Sequence, residues 1–109
     1  MAMRDAKTEA LRLLGLARRA GAVVTGTART REALRSGRAK LVLVAEDASG
    51  TQLSKIEGLV RGGAVPQVTL GDRFVLGAAV GGPPLSAVAV TDARLAARLL
   101  RGLEARKTW

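Results

Sequence analysis

The sequence contains no cysteine and no histidine, and its only aromatic side chains are one Phe and one Trp. Without cysteine the chain can form neither a disulfide nor a thiolate metal site, and this absence agrees with a cytoplasmic protein. Without His and Cys it also lacks the commonest general base, the best nucleophile and the usual zinc ligands. We therefore expect a binding protein rather than an enzyme, with no catalytic residue, no metal site and no cofactor.

Long hydrophobic runs are missing as well. No stretch approaches the roughly 18 apolar residues of a membrane-spanning helix, and the first ten residues do not resemble a signal peptide, so we expect no membrane partner. Hydrophobic residues still make up 48% of the chain, which gives a core of Leu, Val and Ala. A length of 109 residues predicts one domain over residues 1–109, with a disordered tail from about residue 104.

The net charge of +9 is unevenly spread along the sequence. Residues 1–40 carry ten Lys and Arg against three acids, whereas residues 41–90 carry three against four. An excess of this kind attracts polyanions, and RNA or DNA is the first partner to consider. The same charge also serves solubility, so composition does not by itself select a partner.

Strand patterns alternate with helix patterns, which predicts an α/β fold in the form of an α/β/α sandwich. The predicted helices cover about 5–20, 28–36, 49–60, 73–80 and 92–103, and the predicted strands cover 22–25, 41–45, 66–70 and 86–90. The run LVLVA from Leu41 to Ala45 indicates a central strand that is buried on both faces. In the first helix the apolar stripe is expected at Leu13, Leu16, Ala17 and Ala20.

The turn at Gly26 and Thr27, between the first strand and the second helix, is a candidate anion site. Glycine lets a phosphate or a base edge approach the backbone, and the free amides and dipole of a helix N-terminus favour negative charge. Thr27 is expected to cap the helix, and Arg29 lies one step inside it. The same residues would also make an ordinary strand-to-helix turn.

A row of basic residues follows this turn on the predicted outward face of the helix. Arg31, Arg35 and Arg38 form the row, and Lys40 lies just beyond it. Such a row can follow a phosphate backbone, although a solvated helix face has the same composition.

Two further segments are weaker candidates. The loop Gly82-Pro83-Pro84-Leu85 would form a rigid apolar wall if it lay beside the Gly26 turn, and otherwise it is a connection. Glu46 and Asp47 follow the central strand, but neighbours on a strand point to opposite faces and make a poor metal pair.

The order of these segments resembles the kink-turn-binding ribosomal protein superfamily of the L-seven-Ae type. The resemblance runs from about Leu13 to Leu100 through GTARTREALRSGRAKLVLVAEDAS, AVPQVTLGDRFVLGAAVG and SAVAVTD. LGLARRAG before VVTG is similar to the small bacterial YlxQ-like branch. The resemblance implies a three-layer α/β/α sandwich on a four-stranded mixed sheet, and RNA binding in ribosomes or other ribonucleoproteins.

The family's RNA-contacting positions are only partly matched. In the family a Gly-Thr or Gly-Ser turn is followed by Asn and Glu, which contact sheared G·A pairs, and then by a Lys near phosphates. Gly26 and Thr27 match, but Ala28, Arg29 and Glu32 stand in place of the Asn, Glu and Lys. Arg29 cannot accept a hydrogen bond from guanine, although it can grip a phosphate or reach guanine O6 and N7, and it can pair with Glu32 across one helical turn.

The sequence thus predicts a non-enzymatic protein that binds rRNA or another structured RNA through the Gly26 turn, the basic helix and the loop after residue 81. Whether kink-turns are recognised stays open. The alternative is a protein-interaction module of the same fold that binds an acidic or translation-associated protein, such as a ribosomal protein.

Overall fold

Four short strands and five helices make up the described part of the chain, which covers residues 5–61 and 64–104 of the computed structural model. The helices are α1 (Ala6–Arg19), α2 (Thr27–Arg35), α3 (Gly50–Arg61), α4 (Arg73–Ala79) and α5 (Ala93–Glu104). The strands are β1 (Val23–Thr25), β2 (Leu41–Val44), β3 (Gln67–Thr69) and β4 (Ala87–Val90). Residues 62–63, which follow the predicted third helix, and most of the predicted tail, residues 105–109, lie outside the described residues.

The strands form one mixed sheet in the order β1-β4-β2-β3. Strand β4 pairs antiparallel with both β1 and β2, and β2 pairs parallel with β3. The two central strands are buried along their whole length, as expected for strands covered on both faces. The predicted α/β class, the mixed four-stranded sheet and the central position of β2 are confirmed.

Alternating side chains of β2 divide the interior into two cores. Leu41 and Leu43 point into a core shared with α1, α4 and α5. Val42 and Val44 point to the other face, where they pack with Ala33 of α2 and other apolar side chains of α2 and α3. Because successive strand residues face opposite sides, one apolar run supports a helical layer on each face, and the predicted three-layer sandwich is confirmed.

The helices α3, α4 and α5 are each capped by the side chain of the residue that directly precedes them. Asp72 accepts a hydrogen bond from the amide of Val75 at 2.8 Å, and Ser49 Oγ accepts one from the amide of Gln52 at 3.2 Å. Asp92 accepts from the amide of Leu95 at 3.0 Å. These bonds satisfy amides that a helix leaves free in its first turn.

The predicted apolar stripe of α1 is wrong by a rotation of the helix. The buried residues are Ala10, Leu13, Leu14 and Ala17, whereas Leu16 is 41% exposed and Ala20 is also exposed. Both stripes have the same helical spacing, and the real one begins three residues earlier, which turns the buried face by about 60°. Only the packing of α1 against the sheet and α5 decides between them.

Within the described ranges, no helix combines the length and the hydrophobicity that crossing a membrane requires.

Candidate nucleic-acid interface

Helix α2 begins directly after β1, and its N-terminal end carries no side-chain cap. Gly26 is the N-cap residue, with a φ of 95° that favours glycine, and α2 itself begins at Thr27. The expectation that Thr27 caps this helix is therefore wrong. The first turn contains no acidic residue, so its amides remain available to an external acceptor such as a phosphate oxygen.

Pairing between β1 and β4 places the loop 82–85 beside this helix end. The amide of Gly26 donates to the carbonyl of Ala87 at 2.9 Å, and Thr25 is paired with Val88. Because Ala87 opens β4, the loop that leads into this strand lies next to the start of α2. Gly82, Pro83 and Pro84 are exposed there, and Leu85 is half-buried. We call residues 26–29 and 82–85 together the turn patch.

The loop is fixed against α4 by an unusually close backbone approach. A Cβ atom on Gly77 would lie 2.0 Å from the carbonyl oxygen of Pro83, so no larger residue fits without movement of the backbone. The amide of Gly82 donates to the carbonyl of Gly77 at 2.9 Å, and the amide of Leu85 donates to the carbonyl of Arg73 at 3.0 Å. Sequence reasoning missed this support, because no motif marks which glycine of the segment 71–82 meets another backbone.

Asp47 ties the start of α4 to the end of β2 at the same edge of the sheet. Its carboxylate accepts a hydrogen bond from the backbone amide of Arg73 at 2.9 Å, and it lies 3.4 Å from the Arg73 Nε atom. The Arg73 backbone N–H is the main cause that holds the pKa of Asp47 below its usual range. Asp47 therefore helps to orient α4, and through α4 the loop 82–85. Within residues 5–61 and 64–104 no group of three candidate ligands is placed to hold a metal ion.

The three positions at which the family's Asn, Glu and Lys are replaced all face solvent. Ala28, Arg29 and Glu32 are exposed. The spacing of Arg29 and Glu32 allows an ion pair, but none joins them in the described part of the chain. The Arg29 guanidinium is thus available to an external anion at the edge of the turn patch.

Arg31 departs from its predicted outward position. Its side chain is half-buried, and its Nε atom is buried without a hydrogen-bond partner. The neighbouring Thr30 is fully buried, and its hydroxyl oxygen also lacks a partner. Arg31 therefore offers only part of its guanidinium to a ligand, unlike the exposed Arg35.

The remaining basic residues lie at the other end of α2, in a second group that we call the distal patch: Arg35, Arg38 and Lys40. The amide of Lys40 donates to the carbonyl of Val90 at 2.8 Å, and Val90 pairs with Val23 at the start of β1. Arg38 Nε donates to Ser36 Oγ at 3.1 Å, and Lys40 Nζ donates to the Gly37 carbonyl at 3.3 Å. Eight residues of helix, about 12 Å, separate Thr27 from Arg35, so the two patches do not form one cluster.

Comparison with known proteins supports the resemblance noted in the sequence. Residues 8–100 match the family described as the ribosomal protein L7Ae/L30e/S12e/Gadd45 family. The chain is 40% identical over 92 residues to a protein of Bacillus subtilis (strain 168) named RNA-binding protein YlxQ. That alignment covers 84% of this chain and 92% of the Bacillus protein.

Solved structures show the same fold. A Bacillus halodurans protein of unknown function superposes with a TM-score of 0.84 at 29% identity, over 88% of this chain and 97% of that one. A Giardia lamblia 15.5kD RNA binding protein superposes with a TM-score of 0.77 at 21% identity, over 96% of this chain and 92% of that one. At 21% identity the second likeness concerns the fold alone.

Proposed function

The chain belongs to the ribosomal protein L7Ae/L30e/S12e/Gadd45 family, and on that premise we propose that it binds structured RNA through the turn patch. The family description names ribosomal proteins, and the Bacillus subtilis relative is named as an RNA-binding protein. Neither name denotes an enzyme, which agrees with the expectation of a non-enzymatic protein. We further propose that the protein acts in the cytoplasm, on rRNA or another structured RNA.

One contact carries the proposed location of the site. The hydrogen bond from the Gly26 amide to the Ala87 carbonyl, at 2.9 Å, holds the uncapped end of α2 beside the loop that enters β4. A helix end without an acidic residue or a cap presents amide donors and the positive end of the helix dipole. The exposed Pro83 and Pro84 add an apolar surface on which a base can lie.

The residues at the turn favour phosphate contact over readout of sheared G·A pairs. Arg29 carries only donors, and Ala28 has no hydrogen-bonding group in its side chain. An arginine next to free helix amides suits an RNA phosphate, or guanine O6 and N7 where the base is exposed. Glu32 repels a phosphate that approaches the same turn, so the RNA path is expected to keep to the side of Arg29.

The distal patch extends the surface if the RNA is long enough. Arg35 lies about 12 Å along α2 from Thr27 by helical rise, and Arg38 and Lys40 follow the end of that helix. A short RNA bound at the turn would not reach them, whereas an RNA that continues along α2 would. These residues are proposed to contribute phosphate contacts without sequence preference.

Gel-shift titrations at two salt concentrations test the function. The probes are a kink-turn RNA, a plain RNA duplex, a single-stranded RNA and a DNA duplex of equal length. We expect a structured RNA to bind more tightly than the DNA duplex, and all affinities to fall with salt because counterions are released. Weak and equal binding of all four would contradict the proposal. It would favour the alternative of a protein-interaction module, which the replacements at Ala28 and Glu32 also favour.

Arg29→Glu tests the turn itself. The substitution reverses the charge beside the free amides of α2 and is expected to weaken RNA binding at least tenfold, since the lost contact is to a charged phosphate. Arg94→Glu is the matched control, because Arg94 is exposed at the start of α5 and follows the end of β4 that lies away from the turn. Equal affinities of the two variants would remove the turn patch from the RNA site.

A further inference from the structure

The exposed large hydrophobic side chains of the described chain lie on two neighbouring helices. Leu16 of α1 is 41% exposed and Phe74 of α4 is 66% exposed. Single exposed apolar residues are common and need no explanation, but two on helices that share a groove indicate a contact surface, with Phe74 next in sequence to the groove residue Val75. The groove between α1 and α4 has a volume of about 510 Å³, and Leu16 lines it. Phe74 lies one turn before Ala78, which also lines it.

The floor of the groove is aliphatic and closely packed. A Cβ atom on Gly15 would lie 2.8 Å from the carbonyl oxygen of Ala79, so the two helix backbones almost touch there. Leu11, Val75 and Ala78 complete the apolar lining. A floor of this kind offers no side-chain donor to a phosphate or a base edge, which favours an apolar protein side chain as its occupant.

The polar residues of the groove are both basic. Arg12 and Arg19 are seven residues apart on α1, or about 10 Å by helical rise. Arg12 is held by Glu9 at 2.6 Å, whereas Arg19 has no carboxylate partner in the described part of the chain. No acidic residue lines the groove. A second copy of this chain, with a net charge of +9, would bring like charges together and is therefore a poor occupant.

We infer that the α1–α4 groove is a docking site for an amphipathic segment of a partner protein, with apolar side chains on the groove floor and a carboxylate facing Arg19. The groove lies in the layer of α1, α4 and α5, on the opposite face of the sheet from α2. A protein segment in the groove would therefore lie across the sheet from α2, although the loop 82–85 of the turn patch packs against α4. The inference does not depend on the RNA proposal.

Peptide binding to the full chain tests this surface. Three labelled helical peptides share one apolar face of Leu residues and carry Glu, Gln or Lys at the flanking positions. Fluorescence anisotropy gives the affinities, and NMR chemical shifts of the ¹⁵N-labelled protein locate the peptide. We expect the Glu peptide to bind most tightly and to shift the amides of Gly15, Val75 and Ala78.

Three variants define the contact. Leu16→Ser and Phe74→Ser are expected to weaken the Glu peptide about tenfold, as for anchor residues of an interface. Phe74 is 66% exposed, so Phe74→Ser should change the melting temperature little, whereas Leu16 is 41% exposed and Leu16→Ser should lower it somewhat through lost apolar burial. Arg19→Glu should weaken the Glu peptide and strengthen the Lys peptide. Arg101→Glu, on the exposed side of α5 and outside the groove, is the control for general charge.

The proposal is overturned by any of four results. These are equal binding of the three peptides, full affinity of both serine variants, RNA-induced shifts centred on the groove, and a concentration-dependent dimer that Leu16→Ser abolishes. The third result would make the groove part of a nucleic-acid site, and the fourth would make it a self-association surface. The third result would also contradict the turn patch as the RNA site. The other three results leave the Arg29→Glu test untouched, so failure of the groove proposal and failure of the RNA proposal can be told apart.

Discussion

At the scale of single residues, the buried hydroxyl of Thr30 gives the clearest prediction. Thr30 is fully buried on α2, and its Oγ1 atom has no hydrogen-bond partner. A buried hydroxyl without a partner costs about 1–3 kcal/mol, and valine has nearly the same shape. Thr30→Val is therefore expected to increase the free energy of unfolding by about 1 kcal/mol, or the melting temperature by roughly 4 °C. Calorimetry or denaturant titration measures the change.

The matched control for this prediction is Thr51→Val in α3. Thr51 is exposed, so water already serves its hydroxyl, and the substitution should change stability by no more than about 0.5 kcal/mol. A lower melting temperature for Thr30→Val than for the native protein would show that the hydroxyl has a partner, such as a buried water.

At the scale of elements, α4 holds the loop 82–85 through Gly77. A Cβ atom there would meet backbone, with the Pro83 oxygen at 2.0 Å and the Pro83 carbonyl carbon at 2.7 Å. Gly77→Ala is expected to displace the loop 82–85, to lower stability by about 1–3 kcal/mol and to weaken RNA binding. Denaturant titration, NMR shifts of the loop amides and gel shifts measure these effects.

Gly58→Ala in α3 is the control at this scale, because a Cβ there meets nothing within 4 Å. Alanine in an exposed helix should stabilise the protein by about 0.5–1 kcal/mol, since glycine is the poorer helix former. If Gly77→Ala behaved like Gly58→Ala, the loop would not be fixed by this approach.

At the scale of the whole molecule, the sheet divides the basic charge of residues 1–40 between two faces. The arginines of α1 lie in one helical layer and those of α2 in the other. We predict that Arg38→Gln with Lys40→Gln reduces the slope of log affinity against log salt by about 2 for a long RNA, one unit for each lost phosphate contact. A short RNA that covers only the turn patch should show no change of slope.

Arg94→Gln with Arg98→Gln, on exposed positions of α5, removes the same charge from the opposite layer. This control should leave both slopes near the native values. An equal fall in slope for both double variants would mean that the distal patch acts only through net charge.

The sequence by itself determined the elements, the class of fold and most helix caps. These features depend on neighbours in the chain: an unbroken apolar run such as Leu41–Val44, a side chain such as Asp72 three residues before the amide it caps, or a glycine that ends a helix. The family resemblance in the sequence added the four-stranded mixed sheet.

Only the tertiary structure decided which side chains and segments lie next to one another. Three features depend on packing between segments that are remote in sequence. They are the rotation of α1 that exposes Leu16, the partial burial of Arg31 and the contact of Gly77 with Pro83. The separation of Lys40 from the Gly26 turn has the same origin, because strand pairing places them at opposite edges of the sheet. Local spacing allows several such arrangements with similar energy, and the burial of the two cores selects one of them.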